Sequence, residues 1–289
     1  MAGTDADVYV TGSNAHILSS ELSTCLAGRY VNIGMFSLSF SEWKVLWGNG
    51  MDDTEAFNRF MACGGFPSVD PSRNPLSVNT SLRDLYASIV KWDITSRSQI
   101  RNMDELDRLV TYLMHNIGNS ISLNNIVEGM GAGREMIGRY LNLLEETFII
   151  HRADRYDIRS TALGPHPKYY VVDQGIRDMA VGFTQKDSGR VLENIVYLEL
   201  LRRGNTVRFG KYGAKEVDFV AFKTAGGREY YQVCSSIQNE SAAERELSAL
   251  RMTEDSFPKT VLTLDPVVRH VTKDGIVVMD VVEWLLDDL

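Results

Sequence analysis

Residues 188–234 combine one helical pattern with three strand patterns, and this order constrains the fold more than any other part of the chain. The run SGRVLENIVYLELLRRGN carries apolar side chains at helical spacing, whereas TVRFGKY, KEVDFVAF and REYYQVC are rich in β-branched and aromatic residues. Two more strand patterns, KYYVVD and KTVLTLD, flank them. We therefore predict an α/β (α+β) fold with a mixed sheet in the C-terminal part of the chain.

Acidic and amide side chains occur in this segment in a characteristic order. Glu193 lies on the helix, Asp218 follows 25 residues later on a strand, and Gln232 follows 14 residues after that. This order resembles restriction-endonuclease-like domains of the PD-(D/E)XK type, in which acids hold Mg²⁺ and a lysine orients or activates water for phosphodiester hydrolysis. The resemblance implies a nuclease-like site of Glu193, Glu216, Asp218 and Gln232, with Asp218 and Glu193 as the metal ligands.

The site departs from that pattern at the position of the lysine. Cys234 stands there, and a neutral thiol supplies no fixed positive charge. Gln232, where many active members have Glu, removes a negative metal ligand. Lys211 or Lys215 could substitute for the missing lysine from a neighbouring strand. Two interpretations stay open, a degenerate nuclease fold and an active metal-dependent DNA nuclease, and the missing lysine favours the first.

The middle of the chain predicts a winged helix-turn-helix. Three helical patterns, MDELDRLVTYLMHNIGN, SLNNIVEGMG and GREMIGRYLNLLEETFII, precede a strand or hairpin edge, HRADRYD. Ser122 is the expected cap of the second helix, and residues 134–146 take the position of a recognition helix. Arg134, Arg139 and Arg152 could contact DNA, but residues 130–160 hold five arginines and five acids. A DNA-binding regulator and a protein-docking element therefore remain equal alternatives.

Segments in order along nearly the whole chain resemble prokaryotic AAA-type ATPases with a C-terminal restriction-endonuclease-like domain of unknown function. They are VYVTGSNAHILSSELSTCLAGRY, FSLSFSEW, KYYVVDQGIRD, LENIVYLELLRRG, KEVDFV and YYQVCSSI. The resemblance implies that the first segment is the sensor-1 strand of the ATPase core. Its nucleotide-sensing residues would be Ser13 or Asn14, with Arg29 as an arginine finger or sensor; a plain helix-terminal charge is the alternative for Arg29.

The phosphate-binding part of such an ATPase has no counterpart in this sequence. There is no G-x-x-x-x-G-K-[ST] motif. The apolar runs YYVVD and VVMD look like Walker B strands. They are better explained as core strands whose final aspartates, Asp173 and Asp280, cap helices. ATP and Mg²⁺ are expected for full-length members of the family. We expect this chain to be a fragment or truncated product that does not bind ATP by itself.

Composition limits the remaining function classes. The net charge of −8 counts against a nonspecific nucleic-acid binder. No apolar run approaches the roughly 18 residues of a membrane span. The three cysteines are widely spaced and form no disulfide framework. We expect a cytoplasmic protein with DNA, a protein or a second copy as candidate partners. The predicted domains are an ATPase remnant (1–50), a helical linker (51–100), the winged helix (101–160) and the nuclease-like domain (161–289).

Overall fold

A computed structural model describes residues 8–9, 31, 33–94, 102–182 and 187–287. The helices are α1 (Phe40–Trp47), α2 (Asp53–Cys63), α3 (Pro75–Ser88), α4 (Met103–His115), α5 (Leu123–Met130), α6 (Arg134–Glu146), α7 (Gln174–Val181), α8 (Ser188–Arg202), α9 (Glu240–Arg251) and α10 (Val281–Leu286), with a π-helical segment (Ile89–Ile94) after α3. The strands are β1 (Ile150–Asp157), β2 (Ala162–Val171), β3 (Thr206–Tyr212), β4 (Lys215–Phe222), β5 (Arg228–Cys234), β6 (Lys259–Thr263), β7 (His270–Val271) and β8 (Val277–Asp280).

All eight of these strands join in one mixed sheet, which confirms the predicted fold class. Their order is β2-β1-β3-β4-β5-β6-β8-β7. Strand β1 pairs in parallel with β3, β5 with β6, and β6 with β8, while the other neighbours are antiparallel. The sheet thus extends across the predicted domain boundary at residues 160 and 161, because the hairpin β1–β2 that follows the helices pairs directly with β3.

Helices cover both faces of the sheet and bury it in two apolar layers. On one face α1, α2, α8 and α10 pack around Trp43, Tyr197 and Phe219. On the other face α9 packs through Leu250 against Tyr230 and neighbouring sheet residues. Burial on both faces explains why strands such as β4 contain consecutive apolar residues and do not alternate strictly with polar ones.

A third apolar cluster holds the helical part together and joins it to the hairpin. It contains Leu109 of α4, Ile126 of α5 and Leu144 of α6, and it continues into Ile150 and Val171 at the sheet edge. Helix α6 spans the residues predicted for the recognition helix, Arg134–Glu146. The helices of the predicted winged helix therefore share a continuous core with the hairpin that follows them.

Local capping sets where the helices begin. Ser39, Asp52, Asn74, Asn102 and Ser122 each accept a hydrogen bond from the backbone N–H three residues later. The predicted cap Ser122 is therefore confirmed.

The two aspartates predicted as capping acids are confirmed in the same way. Asp173 caps α7 through the N–H of Gly175, and Asp280 caps α10 through the N–H of Val282. The predicted ATPase strand and its residues Ser13, Asn14 and Arg29 lie outside the described residues.

Candidate functional site

Lys168 of β2 lies at the centre of a polar cluster on the α8 face of the sheet. Its Nζ is 3.0 Å from Oε1 of Glu193 on α8 and 2.8 Å from Oε1 of Glu216 on β4. The Tyr170 hydroxyl donates to the same Glu193 oxygen at 2.6 Å, and Nζ of Lys211 lies 2.9 Å from Oε2 of Glu216. The Lys168 side chain is only 3% exposed, so one buried ammonium group holds two of the predicted catalytic acids together.

Burial and mutual charge shift the pKa values in this cluster. Burial alone would lower the pKa of Lys168, but the carboxylates of Glu193, Asp218 and Glu216 raise it above its usual value. Burial would raise the pKa of Glu216, but Lys168 and Lys211 hold it below the usual range. The pKa of Asp218 lies well above the ordinary value because its carboxyl is buried and faces Glu193.

Asp218 and Gln232 lie where β4 and β5 separate. Backbone pairing of these strands ends at Phe219 and Tyr231, and beyond that point side chains replace the missing ladder bonds. The Val233 N–H donates to Oδ2 of Asp218 at 2.8 Å, and the Asp218 N–H donates to Oε1 of Gln232 at 3.3 Å. Asp218 therefore lies beside the Lys168 cluster but uses a carboxylate oxygen to satisfy the backbone.

Gln232 and Cys234 are directed toward α9 and away from Lys168. The Gln232 amide donates to Oε2 of Glu246 on α9 at 2.8 Å, and Glu246 in turn pairs with Arg245 at 2.6 Å. Cys234 packs in the apolar layer under α9, where burial raises the pKa of its thiol to about 12. The predicted single pocket for the β4 and β5 pairs is therefore wrong, because Gln232 and Cys234 face the opposite side of the sheet from Glu216.

The arrangement does not fit a resident Mg²⁺ ion. Both Glu193 and Glu216 already contact the ammonium of Lys168, and Asp218 is a carboxyl with a raised pKa whose Oδ2 accepts a backbone N–H. Among the residues that the structure describes, no three His, Cys, Asp or Glu side chains are placed to hold one metal ion. We therefore derive no hydrolytic step through a metal at this position.

Sequence reasoning missed the lysine that occupies the cluster. Of the two predicted substitutes, Lys211 contacts Glu216, whereas Lys215 donates to the Ser248 hydroxyl at 2.7 Å. Lys168 precedes the apolar run YYVV on a strand distant in sequence, so the spacing of residues 193–234 does not point to it. A charged residue in a strand that is otherwise buried was the signal that could have revealed it.

A glycine ties the helical part to this cluster. Gly118, after α4, adopts φ = +73°, and a Cβ at that position would lie 3.0 Å from Oε2 of Glu193. Its N–H donates to the Tyr169 carbonyl at 3.1 Å, and Arg190 of α8 donates to the His115 carbonyl at 2.8 Å. The end of α4 is thus held directly against the charged cluster.

Two of the three predicted DNA-binding arginines lie on one groove. Arg134 and Arg152 both line a groove of ≈350 Å³ between α5, α6 and the β1–β2 hairpin, while Arg139 does not. The guanidinium of Arg139 lies 5.7 Å from the ring centroid of its neighbour Tyr140. Arg134 bonds to the neutral amide of Asn124, and Arg152 pairs with Asp154 at 2.9 Å. Glu145 also lines the groove, so the positive charge of the groove is partly offset.

Comparison with known proteins shows the family to which the chain belongs. A family model described as "AAA domain" matches residues 1–44, and one described as "Domain of unknown function (DUF8612)" matches residues 54–187. The first match is a similarity to an AAA domain over the N-terminal 44 residues. An "Uncharacterized protein" of Haemophilus influenzae is 36% identical over 293 residues, which cover 98% of this chain and 71% of that protein. The chain belongs to the same family as this Haemophilus protein.

A more distant relative and the solved structures complete the comparison. "Uncharacterized protein MJ1544" of Methanocaldococcus jannaschii is 29% identical over 262 residues, which cover 84% of this chain and 58% of that protein. The chain thus spans 71% and 58% of the lengths of these two relatives. No solved structure matches the chain. Within residues 33–94, 102–182 and 187–287, no helix is long and apolar enough to cross a membrane.

Proposed function

We propose that this chain is the C-terminal part of an AAA-type ATPase and that its helical part and sheet serve as binding modules, not as a hydrolase. The AAA match over residues 1–44 supports the first half of the proposal. The observation that carries the second half is Lys168, whose buried ammonium lies 3.0 and 2.8 Å from the two acids Glu193 and Glu216. A nuclease needs those oxygens for a divalent cation, whereas here they contact an ammonium group.

The same proposal extends to nucleotide binding and to the compartment. The chain alone does not bind ATP, because its sequence contains no G-x-x-x-x-G-K-[ST] phosphate-binding loop. It works in the cytoplasm, a proposal supported by three widely spaced cysteines that form no disulfide framework.

Two incubations test this function. Plasmid and single-stranded DNA mixed with the chain and Mg²⁺ or Mn²⁺ should remain intact, and titration of a fluorescent ATP analogue should show no saturable binding. The control for cleavage is Asp218→Ala, which separates activity of this site from a contaminating nuclease. DNA cleavage that Asp218→Ala abolishes would contradict the proposal that the sheet is not a hydrolase. Saturable micromolar binding of ATP would contradict the proposal that the chain alone does not bind ATP.

DNA binding by the helical part is a second candidate, favoured by the shared groove of Arg134 and Arg152. Each guanidinium that contacts a phosphate releases about one counterion, so its removal should lower the salt slope of DNA affinity by about 1. We expect Arg134→Ala and Arg152→Ala to weaken binding of a short duplex in fluorescence anisotropy. Arg139→Ala, outside the groove, is the matched control. Equal affinities for the wild type and the two groove variants would remove this candidate.

A further inference from the structure

The groove of ≈350 Å³ between α5, α6 and the β1–β2 hairpin follows one face of α6, and we call it the α6 groove. Helix α6 supplies Arg134, Gly138, Leu141, Asn142 and Glu145 to its lining. The spacing of these positions places them on one side of the helix. Arg134 and Glu145 are eleven residues apart, so at about 1.5 Å per residue the groove follows α6 for about 16 Å.

Gly138 lies in the interior of α6, where glycine weakens a helix more than any residue except proline. A Cβ at this position would meet no heavy atom within 4 Å. Gly129 in the neighbouring helix α5 is different, because a Cβ there would lie 3.1 Å from the Tyr112 ring. Packing within the described chain therefore explains Gly129 but not Gly138. The missing side chain of Gly138 leaves room for the backbone of a ligand to approach α6 closely.

Arg134, at the end of the groove where α6 begins, is a cation without a carboxylate partner among the described residues. Its exposed guanidinium donates to the neutral amide oxygen of Asn124. Arg152, which acts on Glu145 at the other end, is already paired with Asp154 at 2.9 Å. An anionic group of a ligand is therefore attracted to Arg134, whose guanidinium can form two parallel hydrogen bonds with a carboxylate.

Glu145, at the opposite end, is an anion without a hydrogen-bond donor. Its side chain is half-buried, and within the part of the chain that the structure describes its carboxylate accepts no hydrogen bond and forms no ion pair. Burial raises the pKa of this carboxyl, although the Arg152 charge opposes the rise. The Glu145 charge also raises the pKa of Tyr169, and both Arg152 and Tyr169 line the groove.

The Glu145 carboxylate therefore lies on the groove side of α6. Neither of its oxygens is among the fully enclosed polar atoms that lack a partner, so both retain contact with solvent. A cationic group in the groove can reach them and supply the missing donor, which stabilises a half-buried carboxylate.

Opposite charges at the two ends of the α6 groove favour a peptide over a nucleic acid. A nucleic-acid strand carries phosphates along its whole length, and Glu145 would repel the phosphate at its end of the groove. A peptide can carry an acidic side chain at one end and a basic side chain at the other. An extended peptide rises about 3.3 Å per residue, so about five residues span the groove.

We propose that the α6 groove binds an extended peptide segment of about five residues, with an acidic side chain at Arg134, a basic side chain at Glu145 and its backbone over Gly138. This inference rests on the proposed function of the helical part as a binding module and names what that module binds. The DNA-cleavage and ATP-binding tests described above do not involve the groove, so their failure and the failure of this inference are distinguishable.

The probes are two peptides capped at both ends, Asp-Val-Thr-Val-Lys and Lys-Val-Thr-Val-Asp, which test both directions of the segment. Their β-branched residues favour an extended backbone. Asp-Val-Thr-Val-Asp and Lys-Val-Thr-Val-Lys are the matched peptides with one sign of charge. Titration calorimetry with the full chain measures the affinities. One of the two mixed-charge peptides should bind at least about tenfold more tightly than either single-sign peptide, because each of those loses one charge-assisted hydrogen bond.

Glycine residues labelled with ¹⁵N report the location of the peptide by NMR. The bound mixed-charge peptide should shift the amide signal of Gly138, which is assigned through Gly138→Ala. The signal of Gly189 on α8, outside the groove, should not shift.

Three substitutions locate the interaction. Gly138→Leu fills the middle of the groove and should abolish peptide binding, and it should fold because its Cβ position is open and leucine is the better helix former. Glu145→Gln should weaken the mixed-charge peptide about tenfold but should not weaken binding of duplex DNA, because it removes a negative charge. Arg139→Gln, on the same helix but outside the groove, should bind the peptide as the wild type does.

Three results would overturn the proposal. The first is that neither mixed-charge peptide shifts the Gly138 signal. The second is equal affinity for the mixed-charge peptide and Asp-Val-Thr-Val-Asp, or for the wild type and Glu145→Gln, which would indicate an anion site of the kind that a nucleic acid occupies. The third is undiminished binding to the folded Gly138→Leu protein, which would place the peptide elsewhere.

Discussion

Replacing Lys168 with Met is expected to lower the free energy of unfolding by about 3–5 kcal/mol, the range for removing one partner of a buried ion pair. Met keeps most of the apolar stem of the lysine. Glu193 would still accept from the Tyr170 hydroxyl, but both Glu193 and the neighbouring Asp218 would lose the ammonium group. The loss exceeds that of a surface pair because the side chain is 3% exposed and little water can solvate the uncovered charges.

Equilibrium unfolding in guanidinium chloride, followed by tryptophan fluorescence and circular dichroism, measures this loss. Because the folded-state pKa of Lys168 is raised, its contribution is fully present below the unfolded-state pKa of about 10.4 and is lost only at higher pH. A measurement at pH 7 therefore includes the whole contribution of Lys168 to the free energy of unfolding. The matched control is Lys215→Met, an exposed lysine of the same sheet, which should change stability by no more than about 0.5 kcal/mol.

A second substitution separates the charge effect from a packing effect. In Lys168→Met with Glu193→Gln, one of the uncovered carboxylates becomes neutral, and the Gln carbonyl can still accept from Tyr170. The double variant should therefore recover a substantial part of the loss, giving a coupling energy of about 1–3 kcal/mol. A loss of less than about 1 kcal/mol for Lys168→Met, or no recovery in the double variant, would show that the ion pairs do not stabilise the fold.

Local features of this fold could be predicted from the sequence because their causes lie within a few residues. Ser122 caps α5 and Asp173 caps α7 because a short side chain reaches a backbone N–H two or three positions later. The bounds of α6 follow from its apolar spacing. The extent of the sheet could not be predicted, since it depends on β1 pairing in parallel with β3, more than 50 residues away.

The candidate site shows the same division between local and distant causes. The sequence order drew attention to Glu193, Glu216 and Asp218, and the carboxyl groups of these residues share an electrostatic environment with Lys168. It could not reveal Lys168 itself, which reaches the cluster from β2 only after the hairpin joins the sheet. It also placed Gln232 in the same pocket, because simple alternation does not anticipate the irregular register of β4 against β3 between Val217 and Val220.

Asp173→Ala is the second substitution with a large expected effect, a loss of about 2–4 kcal/mol in the free energy of unfolding. The fully buried carboxyl accepts from the N–H groups of Gly175 at 2.8 Å and of Gly65, 108 residues away in sequence, at 2.7 Å. Loss of a helix cap costs about 1 kcal/mol, and leaving the Gly65 N–H buried without an acceptor adds about 1–3 kcal/mol. Equilibrium unfolding in guanidinium chloride, as for Lys168→Met, measures this loss of stability.

Asp280→Ala is the matched control, because Asp280 also follows an apolar strand but caps only its own helix, α10, through Val282 at 2.7 Å. It should cost about 1 kcal/mol. The difference between the two variants isolates the long-range bond from Gly65, and equal losses would contradict a role for Asp173 in joining α2 to α7.

The dependence of this loss on pH gives a further check. Burial raises the pKa of Asp173 to about 6, despite backbone N–H groups that oppose the rise, whereas the unfolded value is about 3.9. Between these values the folded state binds more protons at Asp173 than the unfolded state does, so the contribution of this carboxyl to stability rises as the pH falls from 7 toward 4. Asp173→Ala lacks this gain, and its deficit relative to the wild type should therefore widen at pH 5. A deficit that narrows at pH 5 would mean that the carboxylate is stabilised in its ionised form by the donors around it.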